Sequence, residues 1–387
     1  MNLDSIIFEL AVIIAGSALL GTLFLYGRQP LLIAYIAIGF ILGPNGLSLI
    51  DNTDHIEHIA HFGVILLLFL IGLNLQPIRF IKLFRRTALI TIVTAFLFGS
   101  LSFLFALILR FDLHSAFLFG AAMLFSSTVI SLKLLPASEL HENVTGEIMT
   151  SVLLLQDLLA ILVILFVTGE TSENVPVTFA LLTGKFALLC ILSFIGVRYV
   201  ISPLIRRFKV IQEYTFIATL GWCLLWAEAA HYSGLSYEIG AFVAGISIAS
   251  CRAAVGVAEN LKPLREFFLI LFFFAIGAEL NFGINILHIA AAVVFGILLV
   301  PLKAYAFRFA FRKKGESPEL SKELGARLGQ SSEFSLLVVF AALSAGVLSA
   351  DKGMVIQIAT ITTFIISTYW VVMRYPTPIS LDKGKAG

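Results

Sequence analysis

Long apolar runs separated by short polar connections extend from one end of the chain to the other. A helix needs about 20 mostly apolar residues to cross a bilayer. Thirteen stretches meet or approach that length: 5–26, 30–48, 57–76, 87–109, 115–136, 146–168, 176–200, 212–232, 235–251, 263–281, 284–308, 323–347 and 353–373. The runs are continuous and lack the apolar/polar alternation of a transmembrane β-barrel. The pattern predicts an all-α integral membrane protein with 13 transmembrane helices, a single domain over 1–387. The first run reads as a span. It is too long for a signal-peptide core, and Asp4 precedes it where Lys or Arg would be expected.

Charge adds an orientation. One set of alternate loops holds Arg28; Arg79, Lys82, Arg85 and Arg86; Arg206, Arg207 and Lys209; Arg252 and Lys262; and Arg312, Lys313, Lys314 and Lys322. The opposite set carries Asp51, Asp54, Glu57, Glu170 and Glu173, with little basic beyond Arg110 and Lys352. The excess of Lys and Arg on cytoplasmic loops places the N-terminus outside and the C-terminus in the cytoplasm, in what is expected to be a bacterial inner (plasma) membrane. Composition agrees: 59% hydrophobic and 13% charged, against about 45–50% and about 25% in soluble domains. A net charge of +2 and so little polar sequence leave no basic face for nucleic acid. Cys190, Cys223 and Cys251 are scattered, with neither a metal-site spacing nor a disulfide framework. No Walker-type phosphate loop occurs, so no ATP, no metal cofactor and no enzymatic activity are expected.

The chain also repeats itself. Ile71-Gly72-Leu73-Asn74-Leu75 closes the third run, and Ile276-Gly277-Ala278-Glu279-Leu280 closes the tenth. Phe125-Ser126-Ser127-Thr128 lies mid-way through the fifth, and Gln330-Ser331-Ser332-Glu333 mid-way through the twelfth. Both pairs are 205 residues apart, and the glycines of 39–43 resemble those of 240–245 at nearly the same shift. Seven spans separate the partners. An odd number reverses the direction of the second copy. The expectation is two inverted-topology repeats, about 5–168 and 212–373, an arrangement characteristic of secondary transporters.

Ionisable residues inside the runs mark the candidate chemistry. A charge at the centre of a span costs at least about 2.5–3.5 kcal/mol on insertion scales and is functional by default. Asp157 lies eleven residues into the sixth run, at the expected midplane. Such a carboxylate can hold a proton or, once ionised, a monovalent metal cation, and competition between the two is the minimal chemistry of an exchanger. Gln156 beside it is either a ligand or a brace. Ser126, Ser127 and Thr128, together with Ser331, Ser332 and Glu333, mark where spans five and twelve are expected to break. Non-helical backbone at that depth survives only inside protein or beside a cavity. Two antiparallel broken helices bring like helix ends together. Lys303 is then the candidate cation for the C-terminal ends and Glu333 the candidate anion for the N-terminal ends. Lys303 has the alternative of snorkelling to the cytoplasmic interface. Arg327 reads as an ordinary interfacial arginine, Glu228, His231 and Glu238 as surface polarity, and Lys185 has no assignment.

Taken in order, 39–47 (GFILGPNGL), 69–75 (FLIGLNL), 126–130 (SSTVI), 155–158 (LQDL), 240–245 (GAFVAG), 272–280 (FFFAIGAEL) and 330–335 (QSSEFS) resemble the membrane domain of the Kef-type potassium/proton antiporters, in the monovalent cation:proton antiporter-2 family. The resemblance implies a sodium/proton-antiporter-like fold with a dimerisation part and a mobile core, spans five and twelve broken and crossing. It assigns Asp157 to the family's ion-binding aspartate, Gln156 to its Gln-Asp pair, Lys303 to the basic residue of span eleven and Glu333 to the acidic residue of the twelfth-span crossover. Kef-type members carry a nucleotide- and glutathione-sensing domain after the last span; this sequence stops at Gly387, and the acidic loop between spans nine and ten is only partly present, at Glu259-Asn260.

The function expected is exchange of K+, or alternatively Na+, for H+ by alternating access. It is expected to be electroneutral and carried out by a homodimer surrounded by lipid. The competing readings are a cation channel and a non-transporting membrane sensor on the same fold.

Overall fold

The computed structural model describes residues 3–50, 54–74, 77–135, 145–146, 148–149, 151–153, 155–156, 159–160, 163, 175–208, 211–235, 237–249, 254–280 and 285–377. Among these residues every regular element is helical. In chain order they are α1 (Leu3–Tyr26), α2 (Leu31–Leu42), α3 (Asp54–Asn74), α4 (Pro77–Ile108), α5 (Leu113–Ala122), α6 (Thr128–Lys133), α7 (Val175–Gly196), α8 (Gln212–Tyr232), α9 (Tyr237–Ala249), α10 (Ala254–Glu279), α11 (Ile286–Lys313), α12 (Pro318–Arg327), α13 (Glu333–Ser344) and α14 (Ala350–Arg374). The described residues between 145 and 160 are helical too, and α7 runs on through a π-turn, Val197–Ile201, into Ser202–Arg207.

Five described stretches are long and apolar enough to cross a membrane: Ile6–Tyr26, Thr87–Ile108, Gly184–Arg207, Ile286–Lys313 and Ala350–Arg374. Their outward faces carry Leu19, Leu23, Phe96, Ile108, Leu188, Ile191 and Leu298, all exposed. An apolar surface of that extent is stable only in a nonaqueous surrounding, so the protein is an integral membrane protein.

Several apolar runs and helices do not coincide. The second run is helical only to Leu42, because Pro44-Asn45-Gly46 cannot continue it. The chain folds back there, with Leu47 N–H bonded to Ile41 O at 2.7 Å and Ile50 N–H to Leu42 O at 3.0 Å. α4 and α10 begin about ten residues before their apolar runs, since polar residues beyond an apolar stretch can extend the same helix. The fifth and twelfth runs are each two helices, α5 with α6 and α12 with α13. Both first halves begin at a side-chain cap. The Asp112 carboxylate accepts from Ser115 N–H at 3.1 Å, and Ser317 Oγ accepts from Leu320 N–H at 3.2 Å. Asp112 also receives the Lys352 ammonium at the start of α14. That hydrogen bond first, and those from Ser115 next, hold its carboxyl below the usual carboxylate range.

The helices fall into two packed groups. α2 and α3 pack on α10, α3 on α9, and α8 and α7 on α9. α4, α5, α11, α12, α13 and α14 form the other. The first group is joined through glycines. A Cβ on Gly39 would lie 2.1 Å from Phe274 O, and one on Gly277 would lie 2.0 Å from Ile36 O. On the other pair of helices, a Cβ on Gly245 would lie 2.1 Å from Phe69 O, and one on Gly72 would lie 2.5 Å from Phe242 O. Backbones approach this closely only where no side chain stands between them.

Gly245→Ala is therefore expected to destabilise the protein by about 1–3 kcal/mol, the usual range for overpacking, read as a lowered midpoint of thermal unfolding in detergent. Gly184→Ala is the control, because its Cβ would have nothing within 4 Å; equal midpoints for the two variants would contradict the close approach.

Candidate functional site

Two interrupted helices meet inside the second group. α5 ends at Ala122 and the chain becomes helical again at Thr128; α12 ends at Arg327 and α13 starts at Glu333. Peptide groups released by a break in an apolar interior must find other partners, because an unpaired buried N–H or C=O costs about as much as a lost hydrogen bond. The partners here are side chains of the opposite break and of neighbouring helices. Ser126 Oγ donates to Leu328 O at 2.8 Å, Ser131 Oγ to Arg327 O at 3.0 Å, and Ser335 Oγ to Ala122 O at 2.6 Å. Ser331 Oγ donates to Met123 Sδ at 3.4 Å. Gln330 Nε2 reaches Ser131 Oγ at 2.6 Å and Ser127 O at 3.4 Å, while its Oε1 accepts from Ser367 Oγ of α14 at 2.8 Å.

One N–H group within each break is held from outside. Ser126 N–H donates to Gln156 Oε1 at 2.8 Å, and Ser331 N–H donates to Thr363 Oγ1 of α14 at 3.0 Å. The second halves are capped locally. Ser127 Oγ accepts from Ile130 N–H at 3.0 Å. Ser332 and Ser335 form a reciprocal capping box at the start of α13, which satisfies two N–H groups that no intrahelical carbonyl can reach.

Lys303, on α11, is fully buried. Pro301 two residues earlier lies inside α11, where it supplies no N–H to the helix and favours a kink. Lys303 Nζ donates to Phe125 O at 2.6 Å and stands 5.0 Å from the centre of the Phe98 ring. The ammonium thus meets a carbonyl released inside the break, between the end of α5 and the start of α6. Snorkelling is excluded: Nζ points into the protein. Glu333, the first residue of α13, is 2% exposed, and Ser332 Oγ donates to its Oε2 at 3.5 Å. A carboxylate there sits at the positive end of a helix. Ser126, Ser127, Ser331 and Ser332 are fully buried and Thr128 half-buried. Asp157 lies outside the described residues. Gln156 is fully buried; its carbonyl oxygen takes the Ser126 N–H, and its amide nitrogen has no partner among the described residues.

Arg327 corrects an expectation. It is 1% exposed and is no interfacial arginine: Tyr375 and Pro376, which follow α14, cover it. Glu228 and His231 are exposed, His231 stacking on Tyr237 with ring centres 4.2 Å apart, and Lys185 Nζ lies 3.3 Å from where a Cβ of Gly234 would stand. Gln330 and Ser335 had no separate role in the sequence reading, although both lie in the motif at 330–335, and Ser131 and Thr363 were not singled out there. The Ser332/Ser335 spacing is a capping signal that marks Ser335, and Gln357, Thr360, Thr363 and Ser367 recur at helical spacing on one face of α14, which marks Thr363.

Interrupted helices that meet in the interior of a membrane bundle recur among secondary transporters. Residues 11–374 match the sodium/hydrogen exchanger transmembrane family, and the chain belongs to it. It is 28% identical over 373 residues to the iron transporter MagA of Paramagnetospirillum magneticum, covering 93% of this chain and 84% of that one. It is 30% identical over 358 residues to the glutathione-regulated potassium-efflux system protein KefC of Enterobacter sp., covering 88% and 56%. It is 28% identical over 343 residues to K(+) efflux antiporter 4 of Arabidopsis thaliana, covering 86% and 58%. The chain thus spans little more than half the length of these last two. The solved structure of the sodium proton antiporter MjNhaP1 from Methanocaldococcus jannaschii superposes with a TM-score of 0.68 at 18% identity, over 95% of this chain and 96% of that one, and shows the fold.

Thr363→Val is expected to leave the Ser331 N–H unpaired, at a cost of about 1–3 kcal/mol, whereas Thr363→Ser keeps the oxygen and most of the stability. Thermal unfolding in detergent checks this; a valine variant as stable as the serine variant would remove Thr363 from the support of the break.

Proposed function

We propose that the protein is a secondary active transporter that exchanges a monovalent cation for H+ by alternating access, with K+ the first candidate and Na+ the second. The observation that carries this reading is the buried crossing of the two helix breaks, with Lys303 on the Phe125 carbonyl between α5 and α6 and Glu333 at the start of α13. Asp157 is the group that takes proton and cation in turn. Ser126, Ser127 and Thr128 offer hydroxyl and carbonyl oxygens, the ligand type that alkali cations take. Lys303 and Glu333 offset the facing helix ends, and Ser331 and Ser332 hold the second break. Gln156 is the brace: its oxygen is already bonded to Ser126 N–H.

The reading includes thirteen spans in two inverted repeats. Its support is a set of contacts that recur at or near the 205-residue shift. Gly39 against Phe274 O is matched by Gly245 against Phe69 O, with the glycine one residue out of step. Ser126 on Leu328 is matched by Ser331 on Met123 in step, and Ser131 on Arg327 by Ser335 on Ala122 with the serine one residue out of step. Gln156 on Ser126 N–H is matched by Thr363 on Ser331 N–H, two residues out of step. The Lys/Arg bias between the apolar runs favours an N-terminus outside and a C-terminus in the cytoplasm of a bacterial inner membrane, and the reading takes the molecule to work as a homodimer.

Asp157→Asn is expected to abolish cation-dependent proton movement in proteoliposomes while leaving the unfolding midpoint at or above that of the parent protein, since the sequence puts this carboxylate mid-way along an apolar run, where a charge is costly. The assay compares K+, Na+, Rb+, Li+ and, given the MagA relative, Fe2+. Exchange surviving in the Asn variant would discard Asp157 as the carrier, and cation flux independent of an opposing proton gradient would favour a channel.

One titratable carboxylate at the Gln156-Asp157 pair implies one cation for one proton. An electroneutral cycle escapes the coupling of about 2.3 kcal/mol per charge across 100 mV. Transport on a solid-supported membrane is expected to give no steady current; a current that scales with imposed voltage contradicts this stoichiometry.

A further inference from the structure

The Arg327 guanidinium joins three parts of the chain. Its Nη1 donates to Leu134 O at 2.8 Å, just past α6; its Nη2 donates to Pro376 O at 3.1 Å, just past α14; and its Nε pairs with Glu323 at 2.8 Å within α12. The Tyr375 ring lies 5.6 Å from Cζ, and the side chain has no exposure to solvent. Tyr375 N–H bonds to Val371 O at 2.9 Å, so the tail leaves α14 in a fixed direction. Arg327 is also the last residue of α12. Its own carbonyl accepts from Ser131, the next carbonyl accepts from Ser126, and Gln330 lies three residues on. One planar cation therefore connects the segment after the last helix to both halves of the crossing. Because its donors lie in one rigid plane, the three acceptors cannot move independently while it stays bonded.

We propose that Arg327 is a positioning residue through which the chain following α14 sets the geometry of the two helix breaks, so that whatever moves residues 375–376 alters the rate of exchange. The part concerning rate rests on the transporter reading; the mechanical part does not. A burial role alone gives a different expectation: Arg327 would stabilise α12, and the tail would only cover it.

The test is a two-by-two cycle of Arg327→Gln and an insertion of two glycines between Arg374 and Tyr375. The insertion displaces the Pro376 carbonyl without altering any side chain. Hydrogen–deuterium exchange of the peptide covering 324–331 is read in detergent, and initial exchange rate in proteoliposomes. Each change alone is expected to speed amide exchange there about tenfold and to slow transport several-fold, with the apparent KM for the cation unchanged. Together they are expected to do no more than Arg327→Gln alone, because the insertion breaks only the Pro376 contact that the substitution already removes. If Arg327→Gln does not fold, Arg327→Lys replaces it, keeping the charge and losing the planar donor set. Amide exchange at the parent value in the inserted protein, effects that multiply, or loosened amides with a parent transport rate each overturn the proposal. Parent protein that shows no cation–proton exchange overturns the transporter reading instead, and the amide measurements still decide whether the tail and the breaks are coupled.

Discussion

A peptide group that loses its helical partner inside an apolar bundle can turn only to other protein groups. That constraint organises the centre of this molecule. Two breaks facing each other expose backbone donors and acceptors at the same depth, and the serine and glutamine side chains around them are short and polar enough to reach across. Hydroxyls of one break satisfy carbonyls of the other, and Gln156 and Thr363 satisfy the N–H groups that follow. Neither break is self-sufficient, so each interruption is stable only in the presence of its counterpart.

The same constraint explains why a lysine is tolerated in the interior. An unpaired buried ammonium would cost several kcal/mol. Lys303 instead meets the Phe125 carbonyl and the face of Phe98, so the charge and the broken helix end reduce each other's cost. Removing either would leave the other exposed to an apolar surrounding.

Much of the outline was legible in the sequence because lipid permits few solutions. Continuous apolar runs mean helices, and a serine cluster recurring at the same shift as a glycine pair points to related elements. The break in the fifth run was harder to place, since 123–128 contains neither Pro nor Gly. Its chemistry lies in Gln156, Leu328 and Arg327, distant in the chain. Arg327 was misread for a similar reason. Its position in the run fits an interfacial residue, and only the return of Tyr375 and Pro376 over it makes it interior. Helix ends such as Leu42 depended on turn residues, which a count of apolar residues overlooks.

The glycine contacts of the first helix group have a mechanical consequence. Where Gly39, Gly72, Gly245 and Gly277 bring backbones together, there is no layer of side chains to change rotamer and absorb shear. The glycine seams therefore resist sliding, and the same kind of contact recurs beside the second break, where a Cβ on Gly325 would lie 2.3 Å from Ala304 O. With slip between these helices barred on both sides, any rearrangement at the crossing has to be made by exchanging its hydrogen bonds.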